Sequence, residues 1–254
     1  MSRSLILFFC ILISLCVRAE TTTNQLSCFL KVYPLIERSI KDPNVLVIGD
    51  QHLIWHDGIN DKSFETKLSK PTIADTLSLS YRTDVPVSLI PEKNQDPGRF
   101  RNDKLLSALY GDSKTEIRKN LVRIKWIRIN GKARSILFNK QQGAAHALEN
   151  VVKALNQLPA KDKVFLQPMG GTFNYRKIAG TNRLSAHSYG IAIDINPKKS
   201  LYWRWTKLKS RQYPTTIPKK IIEIFEANGF IWGGRWHHFD TMHFEYRPEI
   251  LKCT

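Results

Sequence analysis

His187, Asp194, Asp240 and His243 are the residues whose types and spacing could do chemistry. His187 and Asp194 lie seven residues apart in the segment from Ser185 to Asp194, and the segment Asp240-Thr-Met-His243-Phe-Glu245 later supplies a second imidazole with a carboxylate three residues before it. Two imidazoles and one carboxylate are the donors of a catalytic zinc site, which keeps three protein ligands and one open position, whereas a structural site is closed by four ligands, often cysteines. His187, Asp194 and His243 are therefore the candidate Zn2+ ligands. Asp240 is the acid left over. Three residues before a ligand, it can face a water at the open position without binding the ion, which is the place of a general base. Zinc lowers the pKa of such a water from ~15.7 to ~7, so modest help from a carboxylate suffices. The tetrahedral intermediate of amide hydrolysis needs a cation, and Arg176 is the candidate. Glu245, His237 and His238 could compete for the metal and rank below the chosen set on spacing.

The elements that must position these residues can be read in part. Gly190 followed by the apolar Ile191, Ala192 and Ile193 predicts a turn entering a strand that ends near Ile195. Further strands are predicted over Phe230 to Trp232 and Met242 to Tyr246. Pro218 opens a helix with Ile221, Ile222 and Phe225 on its apolar face, closed by Asn228-Gly229. The clearest helix runs from Ala144 to Leu158, with Leu148, Val151, Val152 and Leu155 on one stripe and Pro159 as its stop. A strand is expected over Val164 to Met169, turning out through Gly170-Gly171 toward Arg176. Alternation in Val122 to Ile129, then Asn130-Gly131, then Lys132 to Asn139, is a hairpin pattern. Upstream, Leu105 to Tyr110 and the stretch from Asp112 toward Leu121 read as helices, and Asn44 to Ile48 and Thr76 to Tyr81 as strands. Residues 59 to 103 otherwise read as irregular. His52 and His56 have the spacing of a helical zinc pair, but Leu53 stands where the H-E-x-x-H motif has its glutamate, so they read as loop or strand histidines.

Composition bounds the function classes. With 254 residues and 42% apolar content the chain can bury a sizeable core as a soluble globular protein. Arg3, the apolar run from Leu5 to Val17 and Val17-Arg18-Ala19 before Glu20 have the form of a cleaved secretory signal over residues 1–19, with an uncleaved anchor as the alternative. Cleavage removes Arg3 and Arg18 and no acid, so the formal charge of +17 falls by two and the rest stays strongly basic. Such charge favours an anionic partner: an acidic membrane surface, an anionic wall polymer or nucleic acid. Export disfavours nucleic acid, and no nucleic-acid motif or block of five consecutive basic residues accompanies the charge. A merely solvated basic surface is the plain alternative. Cys10 and Cys16 leave with the signal. Cys28 and Cys253 remain near the two ends, placed either to bridge in an oxidising compartment or to stay as free thiols. Neither has metal-ligand spacing to another cysteine.

Three ordered motifs carry a family resemblance: Arg183-Leu-Ser-x-His187-Ser-Tyr-Gly190-x-Ala192-x-Asp194, then Gly229-Phe-Ile-Trp232-Gly-Gly-x-Trp236, then Asp240-x-x-His243-Phe-Glu245. Together they resemble the VanY-type D-alanyl-D-alanine carboxypeptidase family, and the tail most resembles the L-alanyl-D-glutamate endopeptidases of phage endolysins. The resemblance covers roughly residues 164 to 247. It implies an α+β fold in which a small antiparallel sheet carries the zinc site with helices packed on it, plus an N-terminal embellishment. It matches His187, Asp194 and His243 to the zinc ligands, Asp240 to the catalytic acid, Arg176 to the oxyanion-stabilising arginine and Ser185 to a serine that contacts substrate. The resulting division is residues 1–19 as signal, 20–140 as a region of unassigned role and 141–254 as the peptidase core. The expected activity is a secreted or periplasmic zinc metallopeptidase of peptidoglycan stem peptides, favouring the L-alanyl-D-glutamate bond because of Asp240 and the Trp232 to Trp236 element. A D-alanyl-D-alanine carboxypeptidase and a non-catalytic zinc-containing wall-binding domain are the alternatives.

Overall fold

In the computed structural model, which describes residues 24–129, 132–214 and 217–254, three small antiparallel sheets are packed with helices in an α+β arrangement. The expected signal at residues 1–19 and the Asn130-Gly131 turn lie outside the described residues. Helix α1 (24–32) precedes a sheet of β1 (Glu37–Arg38), β2 (Val45–Ile48) and β3 (Gln51–Ile54). Short helices α2 (Phe64–Ser69), α3 (Ile73–Thr76), α4 (Asp103–Tyr110) and α5 (Lys114–Lys119) lead to the paired strands β4 (Leu121–Ile129) and β5 (Lys132–Asn139). After α6 (Ala144–Leu155) and α7 (Ala160–Lys163) come β6 (Ala192–Asp194), α8 (Lys219–Ala227), β7 (Phe230–Trp232), β8 (His243–Tyr246) and α9 (Pro248–Cys253). The last three strands form one sheet in the order β6-β8-β7. Among the described residues no helix is long and apolar enough to cross a membrane.

The β6-β8-β7 sheet separates the core from the chemistry by strand alternation. Phe244, at the centre of β8, stacks on Phe225 of α8 with ring centroids 3.9 Å apart, while its neighbours His243 and Glu245 point to the other face. The apolar stripe of α6, Leu148, Val151, Val152 and Leu155, is buried against the β4–β5 ribbon and α8, as its spacing predicts. Residues upstream of α6 share this core: Phe29, Trp55 and Ile73 belong to the same buried cluster as Phe138 and Phe230. Tyr33 donates a 2.6 Å hydrogen bond to Glu249. Cys28 in α1 and Cys253 in α9 form a disulfide, with Cα atoms 5.6 Å apart across 225 residues of sequence.

Two predicted strands are not strands. Val164 to Met169 forms turns after α7: Leu166 and Met169, three apart, enter the core while Val164 is 46% exposed, which is not the alternation of a strand, and Pro168 has no N–H to give a ladder. The carbonyls of Val164 and Gln167 are instead satisfied by the Asn196 side-chain amide. Thr76 is the end of α3 and the residues after it form turns, because Thr72 and Asp75 make a reciprocal capping box that starts a helix at Ile73. Helix α6 also ends at Leu155, three residues before the predicted end, where the Asn156 side chain bonds the Val152 carbonyl. His52 lies in β3 and not on a helix, so the His52–His56 pair has no common helical face.

On the chain-entropy account a cross-link closing so long a loop restricts the unfolded chain strongly. A Cys28→Ser, Cys253→Ser variant is expected to lose roughly 4 to 5 kcal/mol of unfolding free energy. Urea titration of both proteins without reductant checks this, and an unchanged midpoint would refute it.

Candidate active site

Each candidate ligand is held by backbone geometry legible in the local sequence. Ser185 caps the 3-10 turn Ala186–Tyr189, its hydroxyl accepting from the His187 N–H at 3.4 Å. Gly190 ends that turn in the left-handed region at φ 69°, which favours glycine, and a Cβ there would also crowd the Leu121 side chain at 2.6 Å. The chain then enters β6, whose last residue Asp194 pairs directly across from His243 of β8. Directly opposed residues on an antiparallel pair project to the same face, which brings two ligands together from 49 residues apart. Asp240 is placed by the turn before β8. Its N–H donates to the Gly233 carbonyl, and a Cβ on Gly233 would sit 2.5 Å from the Asp240 carbonyl oxygen. The glycine at 233 is thus what lets the turn that carries Asp240 close on the Trp232 strand.

The donor set fits a cation. His187 Nδ1 lies 2.6 Å from the Thr172 carbonyl, which can only accept, so Nδ1 carries the proton and Nε2 presents a lone pair. His243 Nε2 lies 3.1 Å from the Glu245 carboxylate, which leaves Nδ1 as its free lone pair. These two lone pairs and Asp194 Oδ1 form a triangle with sides of 3.3 Å (Nε2 to Nδ1), 3.2 Å (Nε2 to Oδ1) and 3.0 Å (Nδ1 to Oδ1). Three acceptors facing one another repel unless something positive sits among them. Zinc bonds of ~2.0 to 2.1 Å at tetrahedral angles separate ligand atoms by about 3.3 Å, so the triangle has the dimensions of one tetrahedral face.

The charges around the triad are unequal. Burial opposes a charge on His243, but hydrogen bonds to Asp194 and Glu245 outweigh it and raise its pKa to about 10, so without a metal a proton occupies this site. Burial would raise the Asp194 carboxyl, yet His187 and His243 hold it well below the usual range. Glu245 is fully buried, and despite that burial Arg101, His243 and Arg247 keep it ionised. Arg101 donates to it at 2.7 Å and Arg247 at 3.3 Å. Glu245 is therefore a partner that orients His243 and not a rival ligand. His238 is likewise engaged elsewhere, its Nδ1 2.7 Å from the buried Asp96, and His237 Nδ1 faces the Pro91 carbonyl at 3.2 Å.

His187, Asp194 and His243 share one cavity of about 610 Å³ with Asp240, Ser185 and Arg176. Asp240 differs from the other acids there. Its Oδ1 is buried with no hydrogen-bond partner, and burial pushes its carboxyl up to about 6, against the pull of His243 and with the push of Asp194. The Arg176 side chain is exposed and makes only a 3.5 Å contact to the Lys177 carbonyl, while its backbone is tied to Ser188, next to His187, by a 2.8 Å bond from its N–H and a 2.6 Å bond to its carbonyl. The sequence reading missed Arg99, Arg101 and Trp236 as wall residues of this cavity. No local pattern marks the first two: they lie in a proline-punctuated stretch far from the ligands in sequence.

Residues 179–246 match the model of a protein family described as D-alanyl-D-alanine carboxypeptidase. The match begins after Arg176 and contains all three candidate ligands and Asp240. No solved structure matches the chain.

Because a proton and a metal compete for His243 Nδ1, metal binding is expected to release a proton and to weaken about tenfold for each unit the pH falls. Zinc titration calorimetry in buffers of different ionisation enthalpy reads both, and pH-independent affinity would refute the competition. His187→Ala and Asp194→Ala are expected to lose bound zinc. Glu245→Gln should retain it with affinity lowered about 10- to 100-fold, as read by elemental analysis and chelator competition.

Proposed function

We propose, proceeding from the match over residues 179–246, that this chain is an exported zinc-dependent peptidase of peptidoglycan stem peptides, acting at the L-alanyl-D-glutamate bond. The observation that carries the reading is the triangle of lone pairs beside an unpartnered, buried carboxylate oxygen in a single open cavity. A structural zinc site has no use for a spare acid with a raised pKa.

His187 Nε2, Asp194 Oδ1 and His243 Nδ1 would hold the ion. Bound there, zinc supplies Lewis acidity, which polarises a carbonyl and lowers the pKa of a water. The chain's own residues do the remainder. Thr172 and Glu245 fix the two imidazole tautomers, so both lone pairs are presented without rearrangement. Asp240, whose pKa near 6 lies close to neutrality, takes the proton of the attacking water and returns it to the leaving amine. Arg176, whose guanidinium lines the cavity with most of its donors free, faces the negative charge that develops on the carbonyl oxygen. Ser185 already gives one lone pair to the His187 N–H and keeps its O–H to offer a substrate carbonyl. Export accords with the disulfide between Cys28 and Cys253, since such bridges persist in oxidising compartments.

The description of the matched family favours a second reading, a D,D-carboxypeptidase that removes the terminal D-alanine. Mass spectrometry of digested muropeptides separates the two. Cleavage after L-alanine is expected, loss of a single alanine would replace the first reading with the second, and zinc-loaded protein that releases no peptide would refute both. Asp240→Asn is expected to keep its zinc and lose about 10²- to 10⁴-fold in kcat. In the wild type kcat/KM should fall as the pH drops through about 6, because the carboxyl is raised and takes a proton there. That limb should be missing from the residual activity of Asp240→Asn, and its persistence would assign the base elsewhere.

A further inference from the structure

The cavity that holds the triad is far more basic than the triad requires. Lys93, Arg99, Arg101, Arg176, Arg183 and Arg204 line it, against three acids, Glu65, Asp194 and Asp240. Three of the arginines converge on one wall, and they are not equally answered. Arg101 is 7% exposed and is held by Glu245 at 2.7 Å, with its guanidinium over the Trp236 ring at 5.8 Å, yet its Nε is buried without a partner. Arg99 makes a single 3.3 Å contact to Asp96, a carboxylate that also accepts from the His238 N–H at 2.9 Å. Arg183 is half-buried, its guanidinium makes no hydrogen bond to any described residue, and its Nη1 is buried and unpartnered. Burial, with repulsion from Arg101 and Arg99, depresses the Arg183 pKa, and Asp103 offsets this only in part.

An unpaired guanidinium held out of water beside two others is costly unless an anion completes it. Arginine presents a planar fork of donors that matches a carboxylate in bidentate fashion. We propose that Arg183 and Arg99, with Arg101 fixed behind them by Glu245, form a carboxylate-binding subsite that selects acidic peptides at this cavity. Arg99 and Arg101 lie outside the matched residues 179–246, so the subsite gives residues upstream of the matched segment a direct part in substrate recognition. The inference rests on the peptidase reading for its choice of a peptide, while the subsite itself rests on the arginines alone.

The test uses the full zinc-loaded chain and a stem tetrapeptide, together with versions amidated at one carboxylate at a time. Calorimetric binding to the wild type is expected to weaken about 10- to 100-fold for one of the amidated peptides, the range for loss of a hydrogen bond to a charged group. Arg183→Gln should weaken the acidic peptide by a similar factor and erase the effect of amidation. Arg183→Lys should recover part of the discrimination, and Arg99→Gln should reduce it, with zinc content and Tm of each variant matching the wild type as the check on folding. Equal binding of acidic and amidated peptides by the wild type overturns the subsite, as does tighter binding of a phosphate polymer than of the acidic peptide. A wild type that discriminates in binding but cleaves no peptide removes the peptidase reading and leaves the subsite. One that cleaves every amidated version alike, with equal KM, does the reverse.

Discussion

The carboxylate of Glu245 is the interaction on which the rest of the site depends. It is fully buried, so its charge is tolerable only if it is paired on every side. His243, Arg101 and Arg247 supply the pairing, and Arg247 is in turn held by Glu249, which accepts from Tyr33. A candidate metal ligand, the wall of the cavity, the C-terminal helix and the segment after α1 are thereby joined in one buried ionic chain. Removing His243, Arg101, Arg247 or Glu249 would leave a charge in the interior with one partner fewer. The tautomer of His243 follows from the same carboxylate, because Nε2 must keep its proton to donate a hydrogen bond to Glu245 and Nδ1 is then left facing Asp194 and His187.

Strand register sets how that chain meets the candidate ligands. His243 and Glu245 stand two apart on β8 and face one side, while Phe244 between them enters the core against Phe225. A slip of one residue would turn Phe244 toward the cavity and bury both polar groups in the apolar layer. The register between β6 and β8 therefore resists slippage for packing reasons, and the packing sets Asp194 directly opposite His243. The paired glycines do comparable work at the other end of the site. A Cβ on Gly234 would meet the Trp232 ring at 2.2 Å and one on Gly233 the Asp240 backbone, so the Trp-Gly-Gly sequence is the steric condition for Asp240 to approach the triad.

Much of this was legible in the residues. The stripe of α6, the hairpin, the turn at Gly190 and the strand positions of Asp194 and His243 follow from periodicities that tertiary packing did not override. The residue types pointed to a metal because two imidazoles, a carboxylate and a spare acid are the groups of an open zinc site, and the structure brings the first three together, Asp194 and His243 from facing strands and His187 from the turn before β6. What the residues did not disclose is of two kinds. Apolar runs such as Val164 to Met169 look like strands, but Leu166 and Met169 reach the core equally well from turns, and Pro168 has no N–H to give a ladder. The wall of the cavity depends on contacts more than a hundred residues apart, as in Arg101 with Glu245, and nothing local to Arg101 encodes them. The capping box at Thr72 and Asp75, by contrast, is local to the sequence, and it starts a helix where the residues from Thr76 onward read as a strand.

The basic character of the chain acts at two ranges, and the two have different consequences. A formal charge of +17 creates a field that draws the protein toward any anionic surface, but exposed charges more than about 8 Å apart are largely screened at physiological salt, so this term aids encounter without choosing a substrate. The arginines of the cavity wall are partly or wholly withdrawn from water, where screening is weak and an unmatched partner is rejected by the cost of leaving a guanidinium unpaired. In the proposed carboxylate subsite, discrimination would come from the few buried or half-buried cations and not from the many exposed ones. The same reasoning explains why Asp240 can remain beside them without being neutralised. No cation hydrogen-bonds its Oδ1, its environment is set mainly by desolvation, and a carboxylate left unpaired next to the candidate metal-binding triad is available to a water.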